Sequence, residues 1–552
     1  MASEILKLCM GKGFLLDKEM LELLSGLTDE GAKNVIGVLG SLGIEERVIN
    51  KRLFETHFDK FRNLLIAEQG KDEMHNFFEG MGYKKGDEVE VVVEDVLDEG
   101  GCGKVKLISA PAFPQKKVEV KDFVKHFRSR YESIKTMLET HDFENLTSIR
   151  KIGQNRGSYT IIAAVSNKRM TKNKNLFLEV EDMTGTSIVL VNQNKKEVFD
   201  KARDLLNDDI VAFTVSGTSE MLFANDVIFP EASLSEKRRS EFDEYVAFAG
   251  DFHAGSTMFL EKNLLKFVKW LNGEEGDERQ RAIAKKVKYL LLTGDNIDGV
   301  GHYPGQDKYL IQDTTQGQYE KVEEIIKLIR KDIKIIMCPG QHDAVWVGEP
   351  QPIIGERFAE GLHQMENLTL VPNPALVEID GGFRILMYHG ASINRFIDEI
   401  PEIRTNFGHS SPTRVVREML RRRHLAPIHG GMDYIPCEKG DPMVIDKIPD
   451  IIATADQHRS EVSTYNNILM IASSCWQSIT PFEEKVGNVP DPCKVPLFNL
   501  KTREIKIIDF SDEVREVEWE DGAELVCKLD HGVGGGKAPD WGEEAKDEDD
   551  LE

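Results

Sequence analysis

The feature that most constrains this chain is a recurring event, in which a run of apolar residues stops abruptly in polar and glycine residues. IKIIMCPGQHDAV (333–345) moves within a few positions from a run suited to a buried strand to Gln341, His342 and Asp343. The same event occurs in VAFAGDFHAGS, YLLLTGDNIDG, FRILMYHGAS and DIIATADQHR. Helical periodicity fills the intervals, so residues 241–510 are expected to form a layered α/β domain with its strand ends at one place. Taken singly, each end reads as a turn or a satisfied surface histidine. Five strand ends that all carry oxygen or nitrogen donors read as one site.

The donors are Asp251 and His253, Asp295, Gln341, His342 and Asp343, His389, and Asp456 and His458. Asp251 and His253 are two residues apart, and strand alternation would place both on one face. Carboxylate beside imidazole is a donor set for a transition metal.

A chain of 552 residues exceeds one core, and at roughly 100 to 200 residues per domain three or four units are expected. The fold class is multidomain α+β. Residues 1–66, with EMLELLSGL and KNVIGVLGSLGI at helical spacing, are expected to be a helical interaction module. Residues 67–148 read as linker strands and a helix, including EVEVVVEDVL and VKDFVKHFRSRYESIKTML. Residues 149–235 give five short strands with a helix after the third, the order of an OB-fold barrel, although few aromatics line them. A protein-docking barrel fits as well as a single-strand binder. Residues 511–552 end in DWGEEAKDEDDLE, an acidic composition that supports no core and is expected to be disordered.

Lys and Arg number 70 against 95 Asp and Glu, a formal charge of −25, so the whole chain repels polyanions and any nucleic-acid contact must be local. Seven cysteines with no C-x-x-C pair fit a reducing compartment. Neither a leader pattern nor the ~18–20 apolar residues of a membrane span is legible, and the expected location is cytoplasmic with no membrane partner.

DFH, GDNIDG, GQHD, YHG and ADQH, in that order, resemble the motifs D-x-H, G-D, G-N-H-D, a lone His and G-H-x-H of the calcineurin-like metallophosphoesterases. GDNIDGVGHYPGQ, PGQHDAV, HLAPIHGG and SSCWQ resemble a narrower group, the small subunits of the heterodimeric archaeal family D DNA polymerases. The resemblance covers residues 80–510. It implies a calcineurin-like phosphoesterase domain, a large catalytic partner subunit, and a 3′ to 5′ exonuclease acting on the primer 3′ end. It also suggests the N-terminal module as a contact for the sliding clamp or other replisome proteins. Two divalent ions, Mn²⁺ or Mg²⁺, would polarise the scissile phosphate and activate water. Asp251, His253, Asp295 and His458 would hold one ion, and Gln341, His389 and Asp456 the other. His342 would contact the phosphate and protonate the departing 3′ oxygen, with Asp343 orienting its imidazole.

Two positions depart from that pattern. Gln341 stands where the motif has Asn, and Asp456 where it has the first His of G-H-x-H. Both retain a donor atom, but catalysis tolerates little displacement, so the alternative is a weakened or inactive architectural subunit. TRVVREMLRRRHLAP places Arg414, Arg417 and Arg421 on one helical face, which reads as a DNA-phosphate contact or a solvated face. Tyr303 and Trp476 lie beside motif residues, Tyr303 as a platform for a frayed base and Trp476 as packing.

Overall fold

The structure, a computed structural model, describes residues 103–517 except 115 and 513, together with Leu15–Leu16 and Val48–Ile49, which pair as short parallel strands. The helical module expected over 1–66 otherwise lies outside the described residues, as do the strand expected at EVEVVVEDVL and the acidic tail beyond 517. The chain divides into two compact units, Met1–Val91 and Val92–Glu552, and the second holds a two-sheet sandwich and a barrel.

The two sheets of the sandwich stack face to face. One has seven strands in the spatial order Leu368–Leu370, Lys334–Cys338, Val287–Thr293, Tyr245–Ala249, Lys494–Asn499, Ile505–Asp509 and Arg515–Val517. The other has six, in the order Glu461–Tyr465, Ile468–Ala472, Ile451–Thr454, Phe383–Met387, Ala375–Ile379 and Val105–Ser109. Phe248, Leu291 and Ile336 of the first sheet pack against Ile385, Met387, Ala453 and Ile471 of the second. Helices cover both outer faces, Glu261–Leu271 and Thr315–Ile326 on one and Pro412–Arg422 on the other. The central strands are thus buried on both sides, which explains why they read as unbroken apolar runs.

Two segments belong to the sandwich that the sequence assigned elsewhere. Val105–Ser109, expected in a linker, pairs antiparallel with Ala375–Ile379 as an edge strand. Arg515–Val517, expected in the tail, pairs with Ile505–Asp509. Neither pairing has a local signal, because an edge strand is specified by the partner that accepts it.

Residues 157–228 close into a five-stranded barrel in the order Gly157–Met170, Leu176–Asp182, Gly185–Val191, Leu222–Ile228 and Ile210–Gly217. Helix Lys196–Arg203 follows the third strand in sequence. Alternation fills the interior with Val165, Leu178, Val180, Val189 and Phe213.

Helix Val120–Leu138 ties the barrel to the sandwich. Its N-terminus is closed by a reciprocal Glu119–Asp122 capping box, and its buried residues His126, Arg130, Tyr131, Ile134 and Leu138 form one face. Tyr131 donates to the barrel carbonyl of Ile162 at 2.8 Å, and Arg130 Nε donates to Asp441 at 2.5 Å. Among the described residues no helix is long and apolar enough to cross a membrane.

Candidate metal centre

Strands Tyr245–Ala249, Val287–Thr293 and Lys334–Cys338 run parallel in one sheet, and Phe383–Met387 and Ile451–Thr454 run parallel in the other. Their carboxyl ends meet at one edge of the sandwich, where an α/β sheet leaves room for a ligand. Asp251, His253, Asp295, His389 and His458 are all brought there and buried, with a half-buried Asp456 beside them.

The backbone at this edge departs from what strand alternation would give. Asp251 (φ 49°), His253 (49°), Asp295 (47°), Asp456 (66°) and His458 (57°) all lie in the left-handed region. The strand ends at Ala249, so Asp251 and His253 converge through two left-handed turns and not through a shared strand face. Non-glycine residues adopt this conformation infrequently, and clusters of it mark functional sites where the surrounding structure enforces it. Enforcement is visible in the backbone: Asp251 N donates to Gly294 O at 2.9 Å and His253 N to Asp295 O at 3.0 Å. Gly340 packs so closely that a Cβ there would lie 2.3 Å from Asp295 Oδ1 and 2.8 Å from His389 Cε1.

The imidazoles of His389 and His458 face inward because their outer nitrogens are hydrogen-bonded. His389 Nδ1 donates to Thr293 O at 2.7 Å, leaving Nε2 3.2 Å from Asp295 Oδ2 and 3.8 Å from Asp456 Oδ1. His458 Nδ1 meets Glu483 Oε1 at 2.8 Å, and His253 Nδ1 lies 3.2 Å from Asp298 Oδ1 without the alignment of a hydrogen bond. Their Nε2 atoms stand 3.1 Å apart. Carboxylate-backed histidines with free, converging nitrogens are the arrangement that metal-binding proteins use.

Among the described residues three groups of donors fall within reach of a common ion: Asp251, His253 and His458; Asp251, Asp295 and His389; and His253, Asp298 and His342. Asp251 Oδ1 and His389 Nε2 are buried with no hydrogen-bond partner, an expensive state unless a cation completes it. The residues therefore fit divalent metal. Burial pushes the Asp251 carboxyl up to about 7: His458 and His389 only partly offset its desolvation, and the Asp295 and Asp456 charges add to it. Burial also acts to raise Asp295, but His389, His342 and His253 outweigh it and hold that carboxyl well below the usual range.

Residues 246–463 match the B-subunit family of DNA polymerases alpha and epsilon. The DNA polymerase II small subunit of Methanothermobacter thermautotrophicus is 35% identical over 394 residues, which cover 71% of this chain and 80% of that protein. That of Archaeoglobus fulgidus is 36% identical over 379 residues, covering 69% and 75%. The chain belongs to the archaeal DNA polymerase II small subunits, of family D. Solved structures with a likeness include an archaeal phosphodiesterase (14% identity, TM-score 0.24, covering 50% of this chain and 98% of that one) and a zinc-complexed Vps29 from Entamoeba histolytica (13%, 0.24, 50% and 98%).

Within this family member, the Gln-His-Asp run divides its roles differently from expectation. His342 N donates to Asp295 Oδ1 at 2.8 Å, and its Nδ1 meets the Asp298 carbonyl oxygen at 2.7 Å. Asp343 does not orient that imidazole. Its carboxylate accepts from Gly340 N, Asn296 N and Nδ2, and Tyr319 OH, so it locks the loop under the site. A carboxylate adjacent in sequence points away from its neighbour here, and the carbonyl that replaces it comes from 44 residues upstream. Burial together with the nearby Asp295 charge pushes Asp343 up to about 6.

The two departing positions sit at the margin. Gln341 is half-buried, and among the described residues its side chain has no hydrogen-bond partner. Asp456 Oδ2 accepts from Gln457 Nε2 at 2.6 Å. Sequence reasoning missed Asp298 and Glu483. Asp298 was legible as the second carboxylate of GDNIDG, whereas Glu483 lies in the capping box of helix Pro481–Val486 and has no local signal.

The basic helix is mostly internal. Arg422, 3% exposed, donates from Nε to both oxygens of Asp209 at 3.1 Å and also reaches Glu418 and Asp204 O, joining the sandwich to the barrel. Arg421 lies over Phe229 and beside Glu231 and Glu418, Arg417 beside Glu418, and Arg414 over Phe407. Trp476 is fully buried against Phe267, as packing requires. Tyr303 is half-buried in the turn before Gln306.

Proposed function

We propose that this chain is the 3′ to 5′ exonuclease of a heterodimeric polymerase, removing nucleotides from the primer 3′ end while it scaffolds a large catalytic subunit. The observation that carries the reading is the convergence of Asp251, Asp295, His253, His389 and His458 with Asp251 Oδ1 and His389 Nε2 left unsatisfied. Asp251, His253, Asp295 and His458 would hold one Mn²⁺ or Mg²⁺ ion, and Asp295, His389, Asp456 and the Gln341 amide a second. Bound there, two such ions supply charge neutralisation at the phosphate and a nucleophile at neutral pH.

The protein's own part falls to His342. Its backbone is fixed by Asp295 and its Nδ1 by the Asp298 carbonyl, so Nε2 is the atom left to face substrate. In its protonated form it would donate to a phosphate oxygen and pass that proton to the departing 3′ oxygen, neutralising the alkoxide as the P–O bond breaks. The barrel, residues 149–235 with OB-fold strand order, and the sandwich, 241–510 with Val105–Ser109 added, would act as one body through Arg422. The expected setting is cytoplasmic.

A second reading has specific support. Asp456 is already bonded by Gln457, and Gln341 has no side-chain partner among the described residues, so the second ion site is less well built than the first. That favours a chain with slowed chemistry that is retained for architecture. Digestion of 3′-labelled single-stranded and mismatched primers with Mn²⁺, comparing wild type with His342→Ala, decides between them. Loss of at least a hundredfold in His342→Ala supports proofreading, and equal background in both proteins supports the architectural role.

A further inference from the structure

Next to His342 lies a groove of about 560 Å³, walled by Val300, Val345, Trp346, Ile353 and Phe358 and carrying Arg357. Its size is that of a site for one small organic ligand, ~300–1,000 Å³. Trp346 is 39% exposed, yet its ring is fixed, with Nε1 donating to Pro350 O at 2.6 Å and Phe113 meeting it edge-on at 5.5 Å. Large aromatics that are pinned in place but left open are uncommon, because solvent exposure forgoes the burial that anchoring would otherwise bring. Val300 and Ile353 are also exposed, at 48% and 45%, on the same walls. Arg357 lies over Phe358 at 4.3 Å and has no carboxylate partner among the described residues, in a chain of net charge −25. An anchored aromatic face, apolar sides and one unpaired guanidinium together match a nucleobase with its phosphate.

We propose that this groove receives the unpaired 3′-terminal nucleotide, with its base stacked on Trp346 and a flanking phosphate met by Arg357, so that frayed ends are selected over paired ones. The inference rests on the exonuclease reading of the adjoining centre and deepens it. Because His342 forms part of the groove wall, a base seated there lies next to the scissile phosphate. A paired end would have to unstack and leave its complement before entering, which costs a few kcal/mol for a matched pair and less for a mismatch.

The test uses the full chain and an oligonucleotide with 2-aminopurine at its 3′ end. In the His342→Ala background with EDTA, binding is expected to quench the probe, and a 5′-terminal 2-aminopurine is expected to stay bright. Trp346→Ala should remove the quench and weaken binding about tenfold, as ~1–3 kcal/mol of stacking implies, while Trp346→Phe should retain most of both. Arg357→Gln should weaken binding and flatten its salt dependence. With His342 intact and Mn²⁺ present, Trp346→Ala should raise KM about tenfold with kcat changed less than about twofold, and lower the preference for mismatched over paired ends. A quench that survives Trp346→Ala, or is equal at the 5′ end, overturns the proposal. So does a Trp346→Ala variant that binds DNA normally but no longer copurifies with the large subunit. A Trp346-dependent quench in a wild type that digests nothing leaves the groove standing and removes the exonuclease reading alone.

Discussion

His253 and His458 point their Nε2 atoms at each other across 3.1 Å, each with a carboxylate behind its other nitrogen, Asp298 for the first and Glu483 for the second. With both protons held on Nδ1 the two Nε2 lone pairs converge as ligands for a cation, whereas a proton on either Nε2 makes the contact a hydrogen bond. Titration of the chain with Mn²⁺ is therefore expected to raise Tm in proportion to the logarithm of metal concentration, and EDTA to reverse the rise. A Tm indifferent to both would remove the metal from the account.

Glu483 touches no substrate in this arrangement, so its effect should appear in metal affinity. Glu483→Gln keeps the shape and loses the charge behind His458, and a weakening of Mn²⁺ binding by ~10–100-fold is expected, read by calorimetry. Nuclease rate at saturating Mn²⁺ should recover most of its wild-type value. Unchanged affinity would show that Glu483 serves only the capping box at Thr480.

Gly340 has no room for a side chain. Gly340→Ala drives a methyl against Asp295 Oδ1 and the Asp295 backbone nitrogen, 2.5 Å away. Displacement of Asp295 by about 1 Å is expected to cost around a hundredfold in 3′ digestion. Circular dichroism should remain that of the wild type, since the strain falls on a loop and not on the sheets.

Arg422 holds the barrel to the sandwich through a buried, two-oxygen contact with Asp209. Arg422→Met leaves Asp209 buried and unpaired, and a loss of about 3–5 kcal/mol in denaturant unfolding is expected. Arg422→Met combined with Asp209→Leu should restore much of that loss, because the uncompensated charge is gone. A double variant as weak as the single one would place the cost in lost packing.

His424 gives the chain an acid limit away from the metal centre. Its Nδ1 accepts from Ala426 N at 3.0 Å and its Nε2 meets Asp441 at 2.9 Å, so the neutral ring is already satisfied. Burial, aided by Arg130, lowers it to about 4 from 6.5. Asp441 shifts the same way: burial would raise it, but Arg130 and His424 hold it well below its usual range. A histidine lowered on folding binds its proton more readily when unfolded, so stability rises with pH between about 4 and 6.5 and is lost on acidification through that window. The contribution is on the order of 3 kcal/mol, at ~1.4 kcal/mol per pH unit. Denaturant midpoints should fall between pH 7 and pH 5, and His424→Gln should reduce that fall.

The sequence by itself determined the doubly buried strands, the five-strand barrel pattern and most of the residues that converge at the candidate metal centre. Each of these is written locally, as an unbroken apolar run, as alternation, or as charged residues crowded against a strand end such as DFH and ADQH. Tertiary structure alone decided which groups stand behind the donors and which stand apart from them. Glu483 reaches His458, a carbonyl at 298 replaces Asp343 behind His342, and Arg422 turns inward to Asp209 while Trp346, not Tyr303, opens onto the groove. Hydrogen bonds between residues dozens or hundreds of positions apart leave no period in the sequence. They form only once the two sheets have packed and brought their carboxyl ends to one edge.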